Sequence, residues 1–182
     1  MPYSLNDFIT DARATLKAEN SPAGREKVRR QVEKLLANNA FVAEHFPGGA
    51  EPGRHRLYED PETGFVVLAH INTTAHQSPP HDHGSSWAIY GQVTEYTDMT
   101  VWERTDGGEG GGDAAVEPVR EYRLKPGEVG IYEVGEIHSI AFPDGARFLR
   151  VTGRDLDQVR RLKYDAETGK AFVIESATAG KV

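Results

Sequence analysis

The 182-residue chain contains no cysteine. Disulfides, iron–sulfur clusters, cysteine-ligated zinc and a thiol nucleophile are therefore excluded. Positive charge is also scarce, because 21 lysines and arginines stand against 28 acidic residues, giving a net charge of −7. This balance, without a continuous basic stripe, argues against nucleic acid as a partner.

Long apolar runs are missing as well. No segment approaches the roughly 20 consecutive apolar residues that a membrane-spanning helix needs, so no membrane partner is expected. The first residues, from Met1 to Asp7, lack the basic and apolar regions of a secretory signal. We therefore expect a soluble cytoplasmic protein, long enough to bury a core as one structural domain.

Composition divides the chain at about residue 50. Residues 1–50 are predicted to form N-terminal helices that pack on a β-barrel formed by residues 51–182. Ser4 is the predicted cap of a helix over 5–19, and Ser21 is the predicted cap of a second helix that starts at Pro22. A third short helix is predicted over 40–46, closed by a Pro-Gly-Gly sequence.

Short apolar runs separated by turn residues follow. They predict eight strands, over residues 55–59, 65–72, 86–96, 99–103, 119–124, 129–134, 148–152 and 171–175. This spacing favours an antiparallel sandwich or barrel, with jelly rolls among the options. The glycine-rich segment 106–113 is predicted to be a flexible hairpin connection. Sandwiches with exposed edges often dimerise, so a homodimer is a candidate assembly.

Histidines carry the informative chemistry. His81 and His83 stand at i and i+2, so on a barrel strand both imidazoles project toward the same interior point. His138 stands three residues after Gly135, in a Gly-x-x-His turn that follows a predicted strand. We predict that the three histidines converge on one divalent ion inside the barrel. Neutral imidazoles without a thiolate suit Fe(II), Ni(II), Cu(II) or Zn(II).

The number of open positions on the ion separates two classes of reaction. Three facial histidines on an octahedral ion leave about three positions, enough for dioxygen and a bidentate anionic substrate. A three-histidine zinc ion instead keeps one open position for an acidified water, which would support hydrolysis. The residues alone leave both classes open.

These motifs resemble those of the cupin superfamily. His81 and His83 match the histidine pair of the first cupin motif, and His138 matches the histidine of the second. The glutamate of the first motif would fall on Trp87 or Ala88, which leaves three neutral histidines. The resemblance implies a mainly β fold, a double-stranded β-helix or jelly-roll barrel, with the helical segment in front of it.

Cupins with three histidines and no glutamate resemble the thiol dioxygenases, the cysteine dioxygenase and 3-mercaptopropionate dioxygenase group. The stretch over 80–91 is similar to theirs. The resemblance implies an Fe(II) centre that oxidises a small carboxylate-bearing molecule, in that group a thiol, with dioxygen. It also implies an arginine for the substrate carboxylate. The arginine of the mercaptopropionate type corresponds to Arg161 in this chain. The arginine of the cysteine type corresponds to the position of His55, which lies between Arg54 and Arg56.

The chain departs from that group at its outer Ser-x-His-x-Tyr triad. The triad positions fall on Phe148, Arg150 and Thr152, so Arg150 becomes a third candidate for the carboxylate. The missing triad keeps two alternatives open: an enzyme acting on a diketone or another non-thiol chelating substrate, and a cupin that binds a small ligand without turnover. Tyr90 and Tyr132, on strands beside the predicted site, are candidates for orienting bound oxygen.

Overall fold

A computed structural model describes residues 2–176. Its helices are capped by Ser4, Ser21 and Asn38, whose side chains each accept a hydrogen bond from a backbone N–H in the first turn. These caps confirm the three predicted helices to within two residues. The helices are α1 Leu5–Ala18, α2 Pro22–Leu36 and α3 Asn39–His45.

Every predicted strand overlaps an observed one. Four further strands, β3, β6, β9 and β11 in the following numbering, were not predicted. The strands within residues 2–176 are β1 Gly53–Glu59, β2 Val66–Ile71, β3 His76–Gln77, β4 Ala88–Thr94, β5 Thr97–Arg104, β6 Gly112–Asp113, β7 Val116–Leu124, β8 Val129–Tyr132, β9 Ile137–Phe142, β10 Arg147–Thr152, β11 Arg161–Asp165 and β12 Lys170–Ile174.

The strands of the described residues form two facing antiparallel sheets and a small third one. The first sheet has the order β1-β2-β10-β4-β8, the second β3-β9-β5-β7, and the third β11-β12-β6. His81 joins the second and third sheets, because it bridges His138 on one side and Lys163 on the other. From β2 to β10, apart from the β5–β7 pair and the short β6 of the third sheet, the chain alternates between the two facing sheets. This is a mainly β, double-stranded β-helix or jelly-roll fold with an N-terminal helical segment.

Apart from its exposed edge strand β1, the first sheet is largely buried on both faces. Its outer face packs against α1 and α2, with Leu149 and Val151 of β10 in that core. The neighbouring positions of β10 alternate to the other face, so Phe148 lies in the barrel interior with Tyr90 and Tyr132. The barrel interior therefore receives every second residue of these strands, and it is there that the histidines lie.

The glycine-rich segment differs from its prediction. Gly112–Asp113 pairs with β12, and the Arg104 guanidinium donates to the carbonyl oxygens of Gly110 at 2.7 Å and Asp113 at 2.8 Å. The connection is therefore held by hydrogen bonds rather than free.

Two further expectations concern the C-terminal residues of the barrel range and membrane-spanning helices. Residues 177–182 of the predicted barrel range 51–182 lie outside the described residues. Of the helices within 2–176, none has the length and apolar character needed to cross a membrane.

Candidate metal centre and arginine cluster

His81 and His138 are directly opposite each other on adjacent backbone segments. The backbone N–H of each donates to the carbonyl oxygen of the other, at 2.9 and 3.0 Å. Residues paired in this way project their side chains from the same face, and the two ring centroids lie 4.6 Å apart. His138 lies inside β9, not in a turn after a strand. The turn at Gly135 comes earlier and starts β9.

Asp82 fixes the segment between His81 and His83. Its backbone N–H donates to the Leu162 carbonyl at 3.0 Å. Its carboxylate accepts hydrogen bonds from the Leu162 N–H at 3.1 Å and the Tyr164 hydroxyl at 3.2 Å. The segment is therefore anchored to β11 by a residue whose side chain points away from the two imidazoles.

The chain turns sharply after His83, which lies outside the strands. The Ser86 N–H donates to the His83 carbonyl at 3.0 Å. Gly84 has φ +57°, and a Cβ atom there would lie 2.1 Å from the Arg160 carbonyl oxygen. Only glycine fits this position. The turn leaves the His83 ring centroid 4.7 Å from that of His138.

The three imidazoles form one buried cluster. One ring nitrogen each from His81, His83 and His138 lies within 4.8 Å of the other two. Nitrogens that share an ion through bonds of about 2.1 Å lie roughly 3–4 Å apart. Small side-chain rotations would therefore bring the cluster to metal-binding geometry.

The protonation of the rings also fits a metal. His81 Nδ1 lies 3.0 Å from the Pro79 carbonyl oxygen, so Nδ1 carries the proton and Nε2 keeps a free lone pair. Burial, and then the neighbouring histidines, hold the pKa values of His83 and His138 well below the ordinary value. Both rings are thus neutral at neutral pH, the form that binds metal.

Orphaned nitrogens point the same way. Within residues 2–176, His83 Nδ1 and both ring nitrogens of His138 are buried without a hydrogen-bond partner. Such atoms are rare in folded proteins because leaving them unpaired costs about 1–3 kcal/mol each. A divalent ion would give some of them a partner, so the three histidines could hold one.

The two predicted tyrosines occupy different positions. The Tyr90 hydroxyl lies 3.3 Å from His83 Nε2, and burial raises the pKa of Tyr90, so this hydroxyl keeps its proton. Tyr132 instead stacks on His138, with ring centroids 3.9 Å apart. Its hydroxyl shares a 2.9 Å hydrogen bond with the hydroxyl of Tyr122. Tyr132 therefore holds the His138 ring in place, which differs from its predicted role in orienting oxygen.

Two arginines, Arg150 and Arg161, lie beside the cluster. The Nε atoms of Arg150 and Arg161 are buried, with no hydrogen-bond partner among residues 2–176. Burial lowers the pKa of Arg161; Asp157 opposes this shift, while Arg150 and Arg54 add to it. After burial, Arg150 and Arg161 also contribute to the low pKa values of the histidines. The guanidiniums therefore concentrate positive charge beside neutral rings, which favours an anion.

The structure corrects the prediction that His55 binds substrate. On β1, Arg54 pairs with His70, whose side chain faces the barrel interior, whereas His55 pairs with Ala69, which lies in the helical core. His55 is exposed, and its Nε2 lies 2.8 Å from the Glu51 carbonyl oxygen. Alternation along the strand thus brings Arg54, and not His55, to the mouth of the barrel.

One site residue was not singled out for a ligand role. His70 is buried, stacks on Phe148 with centroids 4.5 Å apart, and has no hydrogen-bond partner at Nε2 within the described chain. Only the pairing of β1, β2 and β10 reveals that it borders a cavity with Arg54 and Arg150.

The solved structures that are similar to this chain include proteins described as a cupin domain or as containing a double-stranded β-helix domain. The chain is similar to the cupin domain of Cnp3 from Schizosaccharomyces pombe, with 15% identity and a TM-score of 0.41, over 56% of this chain and 64% of that one. It is similar to KdgF from Halomonas sp., with 18% identity and a TM-score of 0.42, over 60% and 89% of the two chains.

A conserved protein with a double-stranded β-helix domain from Klebsiella pneumoniae is similar at 18% identity and a TM-score of 0.40, over 61% of this chain and 80% of that one. No family model and no curated protein matches the sequence. The chemistry of the site therefore depends on its own residues.

Proposed function

We propose that this protein is a metal-dependent dioxygenase that oxidises a small carboxylate-bearing molecule at a three-histidine Fe(II) centre. The observation that carries the proposal is a buried cluster of three neutral imidazoles beside arginines whose Nε atoms have no partner among residues 2–176. Neutral ligands leave the full charge of a divalent ion in place, so ion and arginines together attract an anion. Iron is favoured over nickel, zinc or copper by the resemblance to the thiol dioxygenases.

The bound ion would supply the open coordination positions at which dioxygen and substrate meet. Arg150 holds the substrate carboxylate, since a guanidinium fork fixes its orientation through two parallel N–H···O bonds, and Arg161 adds positive charge beside the histidines. The protonated Tyr90 hydroxyl donates a hydrogen bond to a group bound beside His83. Tyr132 and the Pro79 carbonyl keep the His138 and His81 rings in their orientations.

A second candidate is oxidation or hydrolysis of a diketone or another non-thiol chelating substrate. Phe148, Arg150 and Thr152 occupy the places of the Ser-His-Tyr triad, and the Thr152 hydroxyl donates to the Arg154 carbonyl at 2.7 Å. This arrangement offers no acid–base relay of the thiol dioxygenase type, and that favours the second candidate.

Metal analysis of the purified protein, followed by oxygen uptake, tests these functions. We expect close to one iron per chain in the wild type and in His55→Ala, which removes an exposed histidine. His138→Ala should lose the metal and still unfold cooperatively. Oxygen uptake with cysteine or 3-mercaptopropionate supports the first candidate, and turnover of acetylacetone alone supports the second. Equal metal content in His138→Ala, or no turnover by the metal-loaded protein, contradicts the proposal.

A further inference from the structure

A cavity of about 450 Å³ lies between the two facing sheets, next to the histidine cluster. Tyr90 and Arg150 line it, and the Tyr90 hydroxyl is the group that reaches His83. The cavity and the candidate metal centre therefore share a wall. Its volume falls among those of about 300–1,000 Å³ that enclose whole drug-sized ligands.

One side of the cavity is apolar and aromatic. Phe142 and Phe148 meet edge to face at a centroid distance of 5.7 Å, and Ile140 lies beside them. Aromatic side chains arranged in this way favour a further ring or a branched hydrocarbon in contact with them. This side is suited to an apolar group of the ligand.

The other side of the cavity is cationic. Arg150 and Arg54 line it, and the nearest carboxylate to Arg54 in the described chain belongs to Asp157, at 3.6 Å on the exposed rim. His70 also faces this space, with a buried Nε2 that has no partner within residues 2–176. Arg150 Nε and His70 Nε2 therefore have unused hydrogen-bonding capacity for an anion, and the long, exposed pair with Asp157 leaves Arg54 able to join them.

We propose that this cavity binds the body of the substrate, which is a carboxylic acid bearing an aromatic or branched hydrocarbon group. The hydrocarbon packs on Phe142 and Phe148, and the carboxylate pairs with Arg54 and Arg150. The assignment rests on the proposed function for its link to turnover. The binding itself does not need the metal.

Isothermal titration calorimetry with three probes tests the proposal on the full-length protein as purified. 3-Phenylpropionate carries both features, 3-phenylpropanamide lacks the charge, and propionate lacks the ring. We expect 3-phenylpropionate to bind at least tenfold more tightly than either of the others. If propionate binds as tightly as 3-phenylpropionate, the assignment of the apolar side is wrong. If the amide binds as tightly, the assignment of the cationic side is wrong, and either result overturns the proposal.

Two substitutions locate the binding. Arg54→Met should weaken 3-phenylpropionate binding at least fivefold. Arg56→Met is the matched control, because Arg56 faces the same side of β1 but already pairs with Asp155 and Glu59. Ile140→Trp should reduce the affinity for 3-phenylpropionate and leave that for propionate unchanged. Equal losses in the two arginine variants, or no loss in Ile140→Trp, overturn the proposal.

Metal content, measured on the same sample, separates the two proposals. Tight binding of 3-phenylpropionate by metal-free protein supports the cavity assignment while the dioxygenase proposal fails. If metal-loaded protein oxidises a small thiol but does not bind 3-phenylpropionate, the dioxygenase proposal is supported and the cavity assignment fails.

Discussion

The two faces of the five-stranded sheet accommodate buried polar groups in opposite ways. On the helical face, the fully buried Asp60 carboxylate accepts hydrogen bonds from Arg13 at 2.7 Å and from the Thr63 hydroxyl at 2.7 Å. In the barrel interior and at its mouth, several buried polar atoms lack partners within the described residues. Of eight such atoms in the described residues, six belong to His70, His83, His138, Arg150 and Arg161.

This difference separates stability from function. A buried charge with several partners contributes to folding and leaves nothing for a ligand. A buried polar group without a partner weakens the fold, and its persistence at one place indicates a site where binding supplies the partner. The helices therefore anchor the sheet from behind, while its inner face is prepared for an ion and an anion.

The largest effect on stability should come from removing a buried carboxylate on the helical face, where the buried polar group has several partners. Asp60→Ala leaves the Arg13 guanidinium and the Tyr58 hydroxyl without their shared acceptor. We expect a loss of about 3–5 kcal/mol in the free energy of unfolding, measured in urea, with unchanged metal content. Asp98→Ala removes the exposed partner of Arg123 and should cost no more than about 1 kcal/mol. Similar losses in the two variants would contradict the contrast between the two faces.

Acid should remove the same contribution in the wild type. Burial alone would raise the pKa of Asp60, but hydrogen bonds from Thr63 and Arg13 lower it to about 2. Because this is below the usual value of about 3.9, the ionised form favours folding. The stabilisation of about 2–3 kcal/mol is complete above pH 5 and is lost as the pH falls through about 2. The difference in unfolding free energy between wild type and Asp60→Asn should shrink over that range. A constant difference would contradict the assignment.

The same contrast explains how much the sequence could predict. Local signals predicted the helices, because Ser4, Ser21 and Pro22 influence only the first turn of the helix that each of them begins. The i, i+2 spacing of His81 and His83 likewise anticipated a shared face. These features depend on neighbours in the chain, and the structure reproduces them.

The interior required long-range pairing. Shifting by one residue along β1 exchanges His55 for Arg54, and the sequence does not show which of them pairs with His70. The strand around His138 was missed because the Gly135 turn dominates the local pattern. β11 forms only by pairing with β12 and the His81 segment.

A smaller effect should come from weakening the hydrogen bonds that anchor the histidine segment, without replacing a candidate metal ligand. Asp82→Asn keeps the size of the side chain but weakens its hydrogen bonds to Leu162 and Tyr164, which anchor the His81–His83 segment. We expect the affinity for metal to fall about 10–100-fold, measured by competition with a chelator. Asp98→Asn, in an exposed pair with Arg123, is the control and should keep the wild-type affinity. An unchanged affinity in Asp82→Asn would show that the segment needs no such anchor.

The smallest effect should come from the glycine-rich connection, which belongs to neither face. Its tip, Gly107 to Glu109, is exposed, whereas Gly110 and Asp113 accept hydrogen bonds from Arg104. Deleting only the tip shortens a loop that buries little, so the unfolding free energy should change by no more than about 0.5 kcal/mol, with unchanged metal content. Deleting 107–112 also removes the Gly110 acceptor and half of β6, and should cost more. Because Gly110 lines a small cavity with Arg161, loss of substrate binding after the tip deletion alone would mean that the site extends beyond the barrel and includes this connection.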